Sequence, residues 1–397
     1  MTTDLAAKAP LKVFLIAGEE SGDALGAALM QALAEATGGN VRFSGVGDGR
    51  MEARGLVSLF PMEEIALHGL SAVLARLPNL TRRLYETVAA VVAAEPDVLI
   101  AVDCPAFSLR VARRVRRRNP RIAIVDYVSP TVWAYFPGRA RRMARFVDRL
   151  LAILPFEPQV HRRLGGPPTT YVGHPLITRI AELRPAAGER LPLTSSRPPV
   201  LLVLPGSRRS EVTRLMAPFG EAVGRVAEQC GPLEVLLPAV PRLIDEIRAR
   251  AADWPVKPTI VEGEAEKLAA FRRAHAALAA SGTVSLELAL SAVPTVIAYR
   301  TDPLIRPFKF VLTAKSIVLS NLILDELAIP EFIDGASDPA RLAAALAPLL
   351  SDGPERAAQL AAFARLERLM DPDGTAPSVR AAQAVLETLR ERQVPSV

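Results

Sequence analysis

The sequence predicts an α/β protein built from two Rossmann-like, doubly wound parallel-sheet domains that face each other. Three observations lead there. Short apolar runs alternate with longer amphipathic ones along the chain, the pattern of βα units around parallel sheets. The pattern collapses once, from Arg184 to Pro199, into a Pro-rich stretch that reads as a linker. Both halves open alike, with an apolar strand entering a Gly-bearing turn and then a helix: Phe14–Asp23 in the first and Leu201–Glu211 in the second. In such sheets ligands sit at the carboxyl ends of the strands.

The first half offers strands at Val13–Ala17, Val41–Val46, Val98–Val102, Ile122–Tyr127 and Leu150–Leu154. Helices are expected at Ala24–Ala36, Leu80–Ala94 and Leu109–Arg118. The second series runs through Val200–Leu204, Glu234–Leu237, Thr259–Val261, Ala276–Ala279 and Thr295–Ala298. Helices near Ala340–Leu350, Pro354–Leu369 and Val379–Arg392 close the chain. The expected divisions are a first domain over 1–180, a linker over 181–199, a second domain over 200–365, and C-terminal helices over 366–397. Those last helices are expected to pack back on the first domain or on a partner chain.

With 397 residues, half of them hydrophobic and 23% charged, the chain is long enough for two buried cores and is not of the disordered class. Its two cysteines, Cys104 and Cys230, suggest neither a disulfide framework nor a cysteine-rich zinc site and fit a reducing cytosol. The first apolar run is too short for a secretory segment. No run approaches the roughly 18 apolar residues of a membrane-spanning helix. The net charge of +6 attracts anionic partners: nucleic acid, a phospholipid surface or phosphorylated substrates. His68, His161, His174 and His275 are scattered, none at the i, i+4 spacing of a zinc helix, so no metal site is expected. Neither Gly18–Asp23 nor Gly45–Arg50 has the Gly-x-Gly-x-x-Gly spacing, and no Walker A string occurs, so no cofactor is expected.

Pro205, Gly206, Ser207 and Arg208 follow the first strand of the second half and precede a helix. A helix N-terminus with a close-approaching glycine and an arginine fork suits a diphosphate; a plain strand-to-helix turn with solvated arginines is the alternative. Ser281, Gly282 and Thr283 form a second such turn. Glu287 on the following helix either accepts both hydroxyls of a ribose or complements the helix dipole. Two such turns in one domain favour a nucleotide site. Asp103 ends the apolar run 97–103, where a carboxylate either takes a proton from an attacking hydroxyl or caps the next turn. The aromatic, turn-rich segment Tyr127–Tyr135 suits an acceptor pocket or plain local packing.

Two surface features remain. The segment 65–77 is apolar over much of its circumference, with Ile65, Leu67, Leu70, Val73, Leu74 and Leu77, and Arg82 and Arg83 follow it. Basic runs occupy 113–121 and 139–149. These read either as a core helix and two solvated faces, or as an interfacial patch that dips into lipid and is flanked by cations for an anionic membrane surface. The first arginine run has no interleaved aromatics, which argues against single-stranded nucleic acid.

In order, Gly18–Asp23, Val102–Pro105, Tyr127–Tyr135, Leu154–Glu157, Tyr171–Pro175, Leu204–Arg208 with Glu211, Ala280–Glu287, Ala298–Arg300 and Asn321–Leu322 resemble the lipid-A-disaccharide synthase family over nearly the whole chain. The resemblance implies the two-Rossmann-domain glycosyltransferase fold called GT-B. It implies transfer, with inversion, of 2,3-diacylglucosamine from its UDP derivative to the 6-hydroxyl of 2,3-diacylglucosamine 1-phosphate, releasing UDP. It implies a peripheral protein on the cytosolic face of the inner membrane, and a homodimer with exchanged C-terminal segments in some members. Under it, Asp103 is the base, and Gly206, Ser207, Arg208, Ser281, Gly282, Thr283, Glu287 and Asn321 bind UDP. Glu20, Ser21, Asp23, Ser129 and Trp133 are assigned to the acceptor. One departure is Ser320, where the family string Ser-Leu-Pro-Asn has proline. Two other classes compete: another GT-B enzyme, such as a UDP-sugar epimerase or a peptidoglycan-precursor transferase, and a non-catalytic nucleotide-sugar-binding protein at the membrane.

Overall fold

The computed structural model describes residues 9–66, 70–194, 198–301 and 314–393, with the side chains of 70–76 outside that description. The chain divides into two compact units, residues 1–175 with 373–397, and residues 176–372. The first begins with β1 (Leu11–Ala17), α1 (Glu20–Ala36), β2 (Val41–Val46), α2 (Gly49–Glu52), α3 (Leu70–Ala94) and β3 (Val98–Val102). It continues through α4 (Ser108–Arg118), β4 (Ala123–Tyr127), α5 (Gly138–Met143), β5 (Arg149–Ala152), α6 (Glu157–Leu164) and β6 (Thr169–Tyr171). The second unit holds α7 (Ile180–Leu183), β7 (Val200–Leu204), α8 (Arg209–Cys230), β8 (Glu234–Ala239), α9 (Ile244–Ala251), β9 (Thr259–Glu262), α10 (Glu264–Arg273) and β10 (Ala276–Ala280). It ends with α11 (Val284–Leu290), β11 (Thr295–Tyr299), α12 (Leu319–Leu324), β12 (Glu331–Ile333), α13 (Pro339–Leu346) and α14 (Pro354–Met370), after which α15 (Pro377–Gln393) returns to the first unit.

Each unit is a six-stranded, wholly parallel sheet, ordered β2-β1-β3-β4-β5-β6 in the first and β12-β11-β10-β7-β8-β9 in the second. This is the expected α/β class. The central strands are buried along their whole length, as a parallel sheet covered by helices on both faces requires. The edge strands β6 and β12 are three residues each, too short to leave an alternating pattern in the sequence.

Three segments differ from the sequence expectation. Helix α1 starts four residues early, because Asp23 N already donates to Glu19 O at 2.9 Å. Helix α3 reaches back to Leu70, with Pro78 inside it. The first part of the Pro-rich stretch read as a linker is docked on the second unit: Arg190 donates to the carbonyls of Phe271, Arg272, Ser291 and Ala292, and Arg184 donates to Leu290 O and pairs with Glu367. Carbonyls left bare at helix ends need donors, and one guanidinium satisfies four of them here.

Helix α15 completes the core of the first unit. Its Ala381, Ala382, Ala384 and Val385 join Leu29, Met30 and Leu33 of α1 in one buried cluster. Arg149 pairs with Glu391 and Arg392 with Asp148, both at 2.6 Å, pinning the helix to the sheet.

Candidate functional site

In the first unit the strand order reverses at β1, whose neighbours are β2 and β3. Such a switch point opens a crevice at the carboxyl ends of the two strands, so the turn after β1 meets the residue after β3. There Ser21 Oγ donates to Asp103 Oδ2 at 2.8 Å. Asp103 has φ of +45°, a left-handed conformation that Asp tolerates better than bulkier residues. Burial holds its carboxyl above the ordinary range, and the Ser21 hydroxyl opposes that shift in part. Gly18 is required: a Cβ there would lie 2.3 Å from Cys104 Sγ. Burial pushes the Cys104 thiol up to about 11, so it is not a nucleophile near neutral pH.

One strand away, Asp126 is a residue the sequence reading missed. It is buried, its Oδ2 has no hydrogen-bond partner, and burial followed by repulsion from Asp103 pushes its pKa far up. An acid in the middle of an apolar strand was the available signal.

Ser21 also lines a cavity of about 590 Å³ with Gly18, Glu19, Glu20, Asp48, Arg50 and Met62 among its walls. Glu20 is exposed and pairs with Arg50 at 3.4 Å. Asp23 borders the same cavity but is buried, and its carboxylate accepts from the backbone N–H groups of Asp48, Arg50 and Met51 at 2.8, 3.0 and 3.3 Å. It caps α2.

Ser129 and Trp133 likewise form an internal network. Ser129 Oγ lies 2.8 Å from His161 Nε2, and Trp133 Nε1 donates to Glu157 Oε1 at 3.2 Å. Glu157 Oε2 also accepts from Leu154 N at 3.1 Å. Burial raises the Glu157 carboxyl to about 7 and lowers His161 to about 4. The network fixes the 128–136 loop, where Val128 and Phe136 have φ of +84° and +52°. Such strain in a β-branched residue persists only where the surroundings hold it.

The second unit has its own switch point at β7, which lies between β8 and β10. The Pro205–Arg208 turn after β7 and the Ser281–Thr283 turn after β10 therefore sit side by side, with Leu204 in register with Ala279. Gly206 has φ of +109°, and a Cβ there would lie 2.4 Å from Glu211 Oε2. Glu211 Oε2 accepts from Ser207 N and Arg208 N at 3.1 and 3.2 Å, and Arg208 donates to Oε1 at 3.2 Å. A carboxylate thus occupies the N–H groups expected to meet a diphosphate, while the Arg208 side chain is 76% exposed. Arg242, also missed, donates to Ser207 O at 2.9 Å and brings a further cation to this turn.

Glu287 is held by Lys267, whose Nζ lies 3.2 Å from Oε1, with both side chains mostly covered. Ser281 Oγ donates to Ile317 O at 2.7 Å, and Ser320 Oγ donates to Ser285 O at 3.2 Å. Ser320 therefore ties α12 to the helix carrying Glu287. Asn321 is engaged within its own unit. It is buried, and its amide bridges both backbone groups of Ile329 at 2.8 and 2.9 Å.

Of the apolar segment, Ile65 is fully buried in the core with Phe14, Ile16 and Leu99, so it cannot dip into lipid. Leu77 is 47% exposed. Leu67 lies outside the described residues, as do the side chains of Leu70, Val73 and Leu74.

A family model described as lipid-A-disaccharide synthetase matches residues 13–384. The chain belongs to the lipid-A-disaccharide synthase family. It is 55% identical over 381 residues to the lipid-A-disaccharide synthase of Rhodopseudomonas palustris strain HaA2, covering 96% of this chain and 97% of that one. Family membership makes it a glycosyltransferase of lipid A synthesis. Solved structures share the fold at low identity. The UDP-GlcNAc 2-epimerase of Neisseria meningitidis bound to UDP-GlcNAc matches with a TM-score of 0.57, 12% identity and coverage of 96% and 100%. Acinetobacter baumannii MurG matches with 0.55, 12% identity and the same coverage. The fold is GT-B.

Proposed function

We propose that this synthase transfers 2,3-diacylglucosamine from its UDP derivative to the 6-hydroxyl of 2,3-diacylglucosamine 1-phosphate, with inversion. The observation that carries the reading is the Ser21–Asp103 pair at the switch point of the first unit, beside a cavity roomy enough for a sugar. The acceptor O6 attacks C1 of the donor sugar as the bond from C1 to the UDP phosphate breaks on the opposite face. Asp103 takes the O6 proton. Its raised pKa makes it a better base than an ordinary carboxylate, and Ser21 aims it. UDP leaves with the charge that developed on its diphosphate.

The second unit takes the UDP. Its diphosphate replaces the Glu211 carboxylate on Ser207 N and Arg208 N, with Arg208 supplying charge, and Glu287 accepts the ribose hydroxyls. A neighbour of the same fold, the Neisseria epimerase, was solved with UDP-GlcNAc. Acylated substrates and a basic chain favour a peripheral protein on the cytosolic face of the inner membrane, and no described helix is long and apolar enough to cross it.

The test is UDP release from the two diacylglucosamine substrates. Asp103→Asn should lower turnover by about 10²–10⁴ while UDP affinity stays within twofold. Near-parental turnover in that variant would remove Asp103 from the mechanism. Activity with the UDP-sugar alone would favour an epimerase.

A further inference from the structure

Residues 108–147 contain eleven arginines and one acid, and that acid is the buried Asp126. Solvated helix faces spread such charge apart. Here tertiary packing gathers it: Arg113, Arg116 and Arg117 of α4 and Arg142 and Arg145 of the α5 region line one cavity of about 250 Å³, closed on one side by Phe146. Among the described residues only Arg116 of these five is ion-paired, to Asp148, and it also donates to Pro120 O and Ile122 O. It forms the floor. The other four are exposed and face no carboxylate. Like charges gathered around one hollow repel each other unless an anion joins them.

We propose that this groove is a phosphate site for the headgroup of an anionic phospholipid, docking the first unit on a bilayer. The inference rests on the membrane-surface reading above but on different residues from the apolar segment 65–77. Guanidinium forks are suited to phosphate oxygens, which they bind two donors at a time. The neighbouring surface has the character of a bilayer contact: Tyr135 and Phe136, in the loop that leads into α5, are 48% and 58% exposed. Aromatic rings beside arginines partition to the headgroup level of a bilayer. A membrane meets this surface with both charge and apolar depth, whereas a free phosphate uses only the groove.

The test uses the full chain and sedimentation with phosphatidylcholine vesicles, with and without about one third phosphatidylglycerol. The variant replaces Arg113, Arg117, Arg142 and Arg145 by Gln. A charge-matched control replaces Arg42, Arg54, Arg162 and Arg163, which are exposed elsewhere on the first unit. The groove variant should lose tenfold or more of its affinity for the anionic vesicles, as removing several phosphate-facing cations predicts, and the control less than threefold. Phe136→Ser should weaken vesicle binding and leave inorganic phosphate binding unchanged. Turnover on substrates in detergent micelles, measured on the same variants, should match the parent. That assay fails separately if the transferase reading is wrong. Equal losses in groove variant and control would overturn the site. So would groove-dependent binding of RNA with no groove dependence on vesicles.

Discussion

Replacing Lys267 by Met keeps most of the side chain's apolar length and removes the ammonium that holds Glu287. The contact is 3.2 Å, and the side chains are only 26% and 14% exposed, so solvent screens it weakly. A charge-assisted hydrogen bond of this kind contributes about 1.5–3 kcal/mol. Without it the Glu287 carboxylate is free to rotate away from where a ribose would lie. UDP affinity should fall about tenfold, equivalent to about 1.4 kcal/mol. The defect should concern the ribose and not the diphosphate. The parent should prefer UDP over 2′-deoxy-UDP, the Met variant should bind both alike, and pyrophosphate affinity should change little. Lys267→Arg should restore much of the preference. Calorimetry on variants checked by circular dichroism reads all three ligands. A folded Met variant that still prefers UDP over the deoxy form would refute the pairing of Lys267 with a ribose-reading Glu287.

Arg208→Ala should weaken UDP and pyrophosphate alike by about tenfold, the scale of one exposed charge-assisted contact; unchanged pyrophosphate binding would put the diphosphate elsewhere. Asn321→Ala should leave Ile329 N–H and C=O unsatisfied and destabilise the second unit by about 2 kcal/mol without changing UDP affinity of the folded protein, as titration calorimetry and thermal unfolding would report. Glu157 gives a pH signature. Its folded pKa of about 7 exceeds its ordinary value of 4.5, so its stabilising contribution is complete below about 4.5 and is lost as pH rises through about 7. Between pH 5 and 8 the stability of Glu157→Gln relative to the parent should rise by about 2.5 kcal/mol in denaturant titrations. His161 and His174, lowered to about 4, change in the opposite sense but cancel in that difference. A flat difference would mean that Glu157 is ionised in the fold.

Much of the architecture was legible because parallel strands buried on both faces leave unbroken apolar runs, such as Val98–Val102 and Val200–Leu204. The site was legible in residue type and less so in role. Asp103, Arg208 and Glu287 stand at strand ends and helix starts, which sequence order alone locates. Asp23, Ser129 and Asn321 have the same polar character, yet their side chains are occupied by backbone N–H groups, a histidine and Ile329. Nothing local separates a polar residue that awaits a ligand from one that satisfies its own chain. Lys267 was passed over for the converse reason, since its partner Glu287 lies on another element.

Local sequence specifies which segments become strands and helices, because periodicity and turn chemistry act over a few residues. It also carries the chemical inventory and, through the ordered motifs, the family. Which loops meet is set instead by long-range packing. Strand β3 inserts beside β1, and β10 beside β7, joining residues some 80 positions apart, as the Ser21–Asp103 bond does across 82. It also buried Ile65 among Phe14 and Leu99, and it returned α15 to the core of the first unit. These outcomes depend on which apolar faces cover one another and which charges find partners, and that choice is made by the whole chain at once.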